Sequence, residues 1–206
     1  EHHKHAAKLT SLDWLQLKRA AIAKDARLAS DMGQLRRVVL NAALSGTPAN
    51  QLSIVPTEDT ALRAAVDSCF NCFYDARSDF ALASNVHHTL DKLSQHLPLV
   101  GITNGNVNAQ KVGLDRYFTA ILHASVERPM KPAQNMFDEA ASLIKVTPSH
   151  ILHVGDNIIK DVFGAINAGY QSAWFACNRP MQLKLEPVSV LPHVQLDSLE
   201  ELIQFV

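Results

Sequence analysis

The hydrophobic pattern of this chain changes texture near Asn85. Before that point apolar residues return every three or four positions, and no strand-like run interrupts them. Thr10 is placed to cap a helix whose Leu12, Leu15, Ile22 and Ala29 share one face and which Gly33 ends. Residues 34–44 form a second helix on Leu35, Val38, Val39 and Ala42, stopped by Gly46 and Pro48. A third opens at Pro56-Thr57, with Glu58 and Asp59 in a first turn where negative charge suits the helix dipole. It runs on through Ala61, Leu62, Ala65, Val66, Cys69 and Phe73. The expected result is a small antiparallel helical module over residues 1–85, with Trp14, Phe70, Phe73 and Tyr74 in its core.

Beyond Asn85, helices and strands alternate. The pattern predicts a helix over 86–97 and a strand over 99–103, then a short helix near 108–112 and a strand over 120–123. A helix over 133–145 precedes a strand over 151–154, and a helix over 160–168, stopped by Gly169, precedes a strand over 172–175. Ser198-Leu199-Glu200-Glu201 is a capping box opening a final amphipathic helix. Near-continuous apolar strands separated by helices imply an α/β fold with a parallel sheet covered on both faces. Ligands in such folds sit outside the carboxyl ends of the strands, where Thr103 and Asp156 both fall.

Composition narrows the function classes. At 206 residues the chain can hold a large domain with a smaller one. Nineteen basic and twenty acidic side chains give a net charge of -1 without long blocks of either sign. That argues against a basic nucleic-acid face or a polybasic membrane anchor. No apolar run approaches the roughly 20 residues that span a bilayer. Glu1-His2-His3-Lys4-His5 reads as a solvated end rather than a secretory signal. Three cysteines suggest a reducing compartment, with cytoplasm the default. Cys69 and Cys72 form a C-x-x-C pair without a second one, and with His87 and His88 as the conceivable partners; a helix face is the simpler reading.

The chemistry lies at the strand ends. Two unit charges about 4 Å apart repel by about 4 kcal/mol at an effective dielectric near 20, so a carboxylate attacking a phosphate dianion needs cationic help. Mg²⁺ and a lysine can supply it. Asp156 stands where it could reach a metal directly, while Asp161 could hold the metal's waters or orient Lys131. Thr103 can donate its hydroxyl to a phosphoryl oxygen, the backbone N–H groups of Asn104 and Gly105 can form an anion-binding turn, and Lys131 adds a compact positive charge. Each alone has a plainer reading: a helix cap, an Asn-Gly turn, a loop lysine. Together, in order and at strand ends, they describe a phosphoryl-transfer site.

These motifs closely resemble the haloacid dehalogenase superfamily of phosphatases. Ile102-Thr103-Asn104-Gly105-Asn106 is similar to its second motif, Lys131-Pro132 to its third, and Gly155-Asp156…Asp161 to its fourth. The resemblance is dense over 86–206 and loose over the helical half. It looks strongest to the bacterial phosphatases acting on flavin mononucleotide and the ribitylamino-uracil phosphate of riboflavin synthesis. It implies a Rossmann-like core, a helical cap closing over the substrate, and a Mg²⁺-dependent aspartyl-phosphate mechanism on a small phosphorylated metabolite. Thr103 and Lys131 would bind the phosphoryl group, Asp156 would ligate Mg²⁺ and Asp161 would support it.

The family's first motif, an Asp-x-Asp loop after an amino-terminal strand, has no counterpart among residues 1–206. The expectation is therefore that the central strand and the nucleophile lie ahead of Glu1. The alternatives are a non-catalytic binding or regulatory protein, hydrolytic dehalogenation on the same fold, or a phosphomutase.

Overall fold

The computed structural model describes residues 3–176, 179–187 and 189–206. Every element up to His96 is helical: α1 (His3–Ala6), α2 (Ser11–Lys24), α3 (Met32–Ser45), α4 (Thr60–Arg77) and α5 (Ser84–His96). Local chemistry sets their ends. Thr10 and Asp13 form a reciprocal capping box at the start of α2, and the Asp59 carboxylate accepts from the N–H groups of Ala61 and Leu62 at the start of α4. Gly46, with φ of 73°, closes α3 in the left-handed conformation that glycine adopts freely. Helices α2 and α3 bury Leu17, Ala21, Leu28, Leu35, Val39 and Leu52 together, while Leu44, Leu62 and Val66 join α3 to α4.

Two parallel sheets follow. Strands β1 (Val100–Thr103) and β2 (Ala120–His123) pair in one; β3 (Leu152–Gly155), β4 (Gln171–Trp174) and β5 (Val194–Gln195) form the other. Helices α6 (Asn135–Ile144) and α7 (Gly164–Asn167) pack between and against them through Phe137, Ala141, Ala165 and Tyr170. The architecture is α/β, a Rossmann-like core with a helical cap. β4 buries three of its four residues, whereas every residue of β1 and β3 is only half-buried. Those two strands each have one edge without a strand partner among the described residues. A parallel strand covered on both faces is normally buried throughout, and β1 and β3 are not.

Several elements differ from the periodicity. The first helix stops at Lys24, because the Asp25 carboxylate accepts from the Arg27 N–H and starts a separate 3₁₀ turn over Ala26–Ala29. Gly33 consequently lies inside α3, which Asp31 caps through the Gln34 N–H. Leu12 and Leu15 are exposed, and Leu17 and Ala21 carry the buried face instead. Residues 108–112 form hydrogen-bonded turns rather than a helix. Trp14, Phe70, Phe73 and Tyr74 are half-exposed rather than buried in the helical core: Trp14, Phe70 and Tyr74 line cavities, and Phe73 lies under the Arg36 guanidinium. Cys69 packs beside Leu62 and Val66, and Cys72 is exposed. The amino terminus is not simply solvated, since the His5 ring lies against Gly46; Glu1 and His2, like Cys177, lie outside the described residues.

Candidate active site

Lys131 and Asp161 form a buried ion pair in the space between the two sheets. The Lys131 Nζ donates to Asp161 Oδ1 at 2.7 Å and to the Ile102 carbonyl at 2.9 Å. Only 11% of the lysine side chain and 7% of the aspartate side chain is exposed. Two of the three ammonium protons are thereby fixed, and the third remains for a ligand. Asp161 also accepts from His153 Nε2 at 3.1 Å and from the Asn157 N–H at 3.0 Å. Burial alone would disfavour its charge, but the His153 hydrogen bond and the Lys131 charge outweigh that and hold the carboxyl far below its ordinary range.

The turn that delivers Asp161 is set by the residues around it. Asn157 caps a π-helical turn over Ile158–Phe163, its side chain accepting from Ile159 and Lys160, and Asp161 reaches back to the Asn157 N–H. Gly155 makes room for this return. A Cβ there would lie 2.3 Å from Asp161 Cγ.

Across the gap, Thr103 Oγ1 accepts from the Gly105 N–H at 2.9 Å, which orients the hydroxyl and leaves its proton free to donate. The Gly105 N–H is thus engaged within the turn rather than turned outward as a free anion donor. The Asn104 side chain clamps the Lys131 peptide, Oδ1 accepting from its N–H at 2.8 Å and Nδ2 donating to its carbonyl at 2.9 Å. His123 Nδ1 donates to the Gly105 carbonyl and fixes the same turn from the end of β2.

Asp156 is exposed, and its carboxylate has no partner among the described residues. Its backbone is well fixed. The carbonyl accepts from Trp174 Nε1 at 2.8 Å and from Arg179 at 2.6 Å.

This donor set fits Mg²⁺, which typically takes one or two carboxylates, keeps several waters and uses substrate oxygens. Asp156 is the carboxylate that could ligate it, since its side chain has no partner among the described residues. Asp161 already fills three of its roughly four acceptor sites, so it orients Lys131 and can share at most one further site with a metal or its water. Among the described residues no three His, Cys, Asp or Glu gather as a metal cluster.

Periodicity and motif reading overlooked His153, the Asn104 side chain and Trp174. The signal for His153 was present, as a lone polar residue in an apolar strand two positions before Gly155. Burial holds its imidazole below the ordinary range, against the pull of Asp161, and its ring meets Phe137 edge-on at 5.1 Å. The folded protein therefore refuses a proton that the unfolded chain takes up near about pH 6.5. Stability consequently falls as pH drops below that value, by up to about 1.4 kcal/mol per pH unit per proton. The depressed Asp161 carboxyl adds a second loss only below about pH 3.9. His153→Gln is expected to flatten the decline in unfolding free energy between about pH 6.5 and 5, measured by urea titration at each pH. A slope equal to wild type would assign that proton elsewhere.

A lysine locked to an aspartate between parallel strand ends, beneath helices, defines a capped Rossmann-like α/β protein with a polar strand-end site. Residues 15–169 match the model of the haloacid dehalogenase-like hydrolases, and the chain belongs to that family. It is 35% identical over 130 residues to the 5-amino-6-(5-phospho-D-ribitylamino)uracil phosphatase YigB of Escherichia coli, covering 63% of this chain and 55% of that protein. It is 30% identical over 147 residues to human N-acylneuraminate-9-phosphatase, covering 68% of this chain and 58% of that one. The chain thus spans little more than half the length of these relatives. A solved 2-haloacid dehalogenase from Pseudomonas syringae pv. Tomato DC3000 superposes with a TM-score of 0.86 over 99% of this chain and 84% of that chain, at 25% identity.

Proposed function

We propose that this chain forms the phosphoryl- and metal-binding part of a Mg²⁺-dependent phosphatase of small phosphorylated metabolites, working in the cytoplasm. The observation that carries the reading is the Lys131–Asp161 pair, with one ammonium proton and the Thr103 hydroxyl proton unspent, together with Asp156, whose carboxylate has no partner among the described residues. Bound at Asp156, Mg²⁺ would supply charge neutralisation for the phosphoryl oxygens. Lys131 and Thr103 would hold those oxygens by charge and by hydrogen bond. Asp161, kept ionised by His153 and Lys131, fixes the ammonium so that no reorganisation is needed during the reaction.

The nucleophile in this reading is an aspartate on a segment outside residues 1–206, placed between β1 and β3 and forming an aspartyl-phosphate that water hydrolyses. The half-buried strands β1 and β3, each paired on one side only among the described residues, support that placement. Residues up to about 85 would act as the cap and 86–206 as the core. The likeness to YigB suggests a riboflavin-pathway phosphate or flavin mononucleotide as substrate.

Dehalogenation on the same fold is the second reading, favoured by the solved dehalogenase. Against it, that chemistry has no use for a free metal-facing carboxylate. Asp156→Asn separates the two in the full-length protein. Because Asp156 is exposed and unpaired among the described residues, stability is expected to stay within about 0.5 kcal/mol of wild type. Mg²⁺-dependent hydrolysis of p-nitrophenyl phosphate is expected to fall by about 10²–10³-fold. Undiminished phosphatase activity, or turnover of 2-haloacids in place of phosphate esters, would remove the proposal.

A further inference from the structure

The cap and the strand ends enclose a cleft of about 550 Å³ that opens beside the site, with Asn104, Met130 and Lys160 on the core side. Its size falls within the range of small-molecule pockets and far exceeds what a phosphate group needs. Trp14, Ile22 and Met32 give it apolar walls. Its charged lining residues are Lys18, Arg36 and Lys160, and among the described residues no carboxylate lines it.

Arg36 is the informative residue. Its guanidinium stacks on the Phe73 ring, 3.5 Å from the centroid, and is half-buried. Its neighbour Arg37 turns the other way, pairs with Asp67 and lies over Phe70. Arg36 has no acidic partner among the described residues, and burial together with the nearby Arg77 charge disfavours its cationic form. Arg77 reaches over the Thr103 turn, where a Cβ on Gly105 would be 3.5 Å from one of its terminal nitrogens. It too has no acidic partner among the described residues. Two guanidinium groups near one another with no acid between them repel in the free protein, and an anion entering the cleft relieves that repulsion.

We infer that the cleft selects a leaving group with an aromatic or otherwise apolar body that carries its own oxyanion, such as a carboxylate or sulfonate, held by Arg36. This specifies a substrate class for the proposed phosphatase, departs from the neutral flavin or ribitylamino-uracil leaving groups that the likeness to YigB suggests, and rests on the phosphatase reading only for the term leaving group. The pocket's preference for apolar anions can be read without turnover.

The test has two arms, both on the full-length protein. The first titrates 8-anilinonaphthalene-1-sulfonate and its uncharged counterpart N-phenyl-1-naphthylamine by fluorescence. Arg36→Gln is expected to weaken the sulfonate about 10- to 100-fold and leave the neutral dye unchanged. Arg36→Lys keeps the charge and is expected to retain most of the preference. Arg37→Gln, whose charge already meets Asp67, is expected to change neither dye. Equal effects on both dyes in Arg36→Gln, or no effect on either, would overturn the inference.

The second arm compares 4-carboxyphenyl phosphate with phenyl phosphate. Wild type is expected to show the lower KM for the carboxylated ester, with similar kcat, and Arg36→Gln to erase that difference. Hydrolysis of both esters with no KM difference in wild type would overturn the inference while the phosphatase reading stands. Hydrolysis of neither, with the dye preference intact, would overturn the phosphatase reading and leave the pocket's preference standing.

Discussion

Lys131→Met is expected to cost the protein both its activity and several kcal/mol of stability. Methionine matches the length of the lysine stem but leaves Asp161 as a buried carboxylate facing no cation. Breaking a buried pair from one side costs about 3–5 kcal/mol, and Asp161 would keep only the His153 and Asn157 hydrogen bonds. For a chain of this size that corresponds to a drop in Tm of roughly 6–20 °C, read by calorimetry. Loss of the cation is expected to reduce phosphatase kcat by at least about 10²–10³-fold. The double variant Lys131→Met/Asp161→Asn separates the two effects. With no charge left unpaired, most of the stability should return while activity stays lost. Recovery of activity in the double variant would show that Lys131 serves only the fold.

Gly155→Ala is the second large effect, and one methyl group produces it. The added Cβ would meet Asp161 Cγ at 2.3 Å and Oδ2 at 2.7 Å, where real contacts do not occur. Asp161 is held by Lys131, His153 and Asn157 and has no free direction in which to move. Overpacking costs about 1–3 kcal/mol, and any movement that relieves it pulls the carboxylate off Lys131, approaching the roughly 3–5 kcal/mol of a broken pair. Urea unfolding is expected to show a lower midpoint with an unchanged m-value. A midpoint equal to wild type would mean that the Asp161 return is not a tight fit.

The large elements were legible because their signals are local. The cap at Thr10, glycine stops at Gly46 and Gly169, and apolar strand runs each act within a few residues, whereas Asp59, expected in the first turn, caps a helix that starts at Thr60. The meeting of Lys131 with Asp161 was legible because order and strand-end position limit where such side chains can lie. Periodicity alone could not say which face of α2 turns inward, because the Asp25 turn ends the helix early and a cleft, not a core, faces Leu15. The role of the Asn104 side chain was hidden for another reason: its partner is a peptide 27 residues away. The two-residue strand β5 has too little pattern to announce itself.

The most direct measurement incubates the full-length protein with p-nitrophenyl phosphate and Mg²⁺, quenches it in acid and locates any phosphoryl adduct by peptide mass spectrometry. The account predicts one acyl-phosphate, on an aspartate outside residues 1–206, that disappears when Asp156→Asn is used. Turnover without a phosphorylated aspartate, or an adduct on a residue within 1–206, would contradict it.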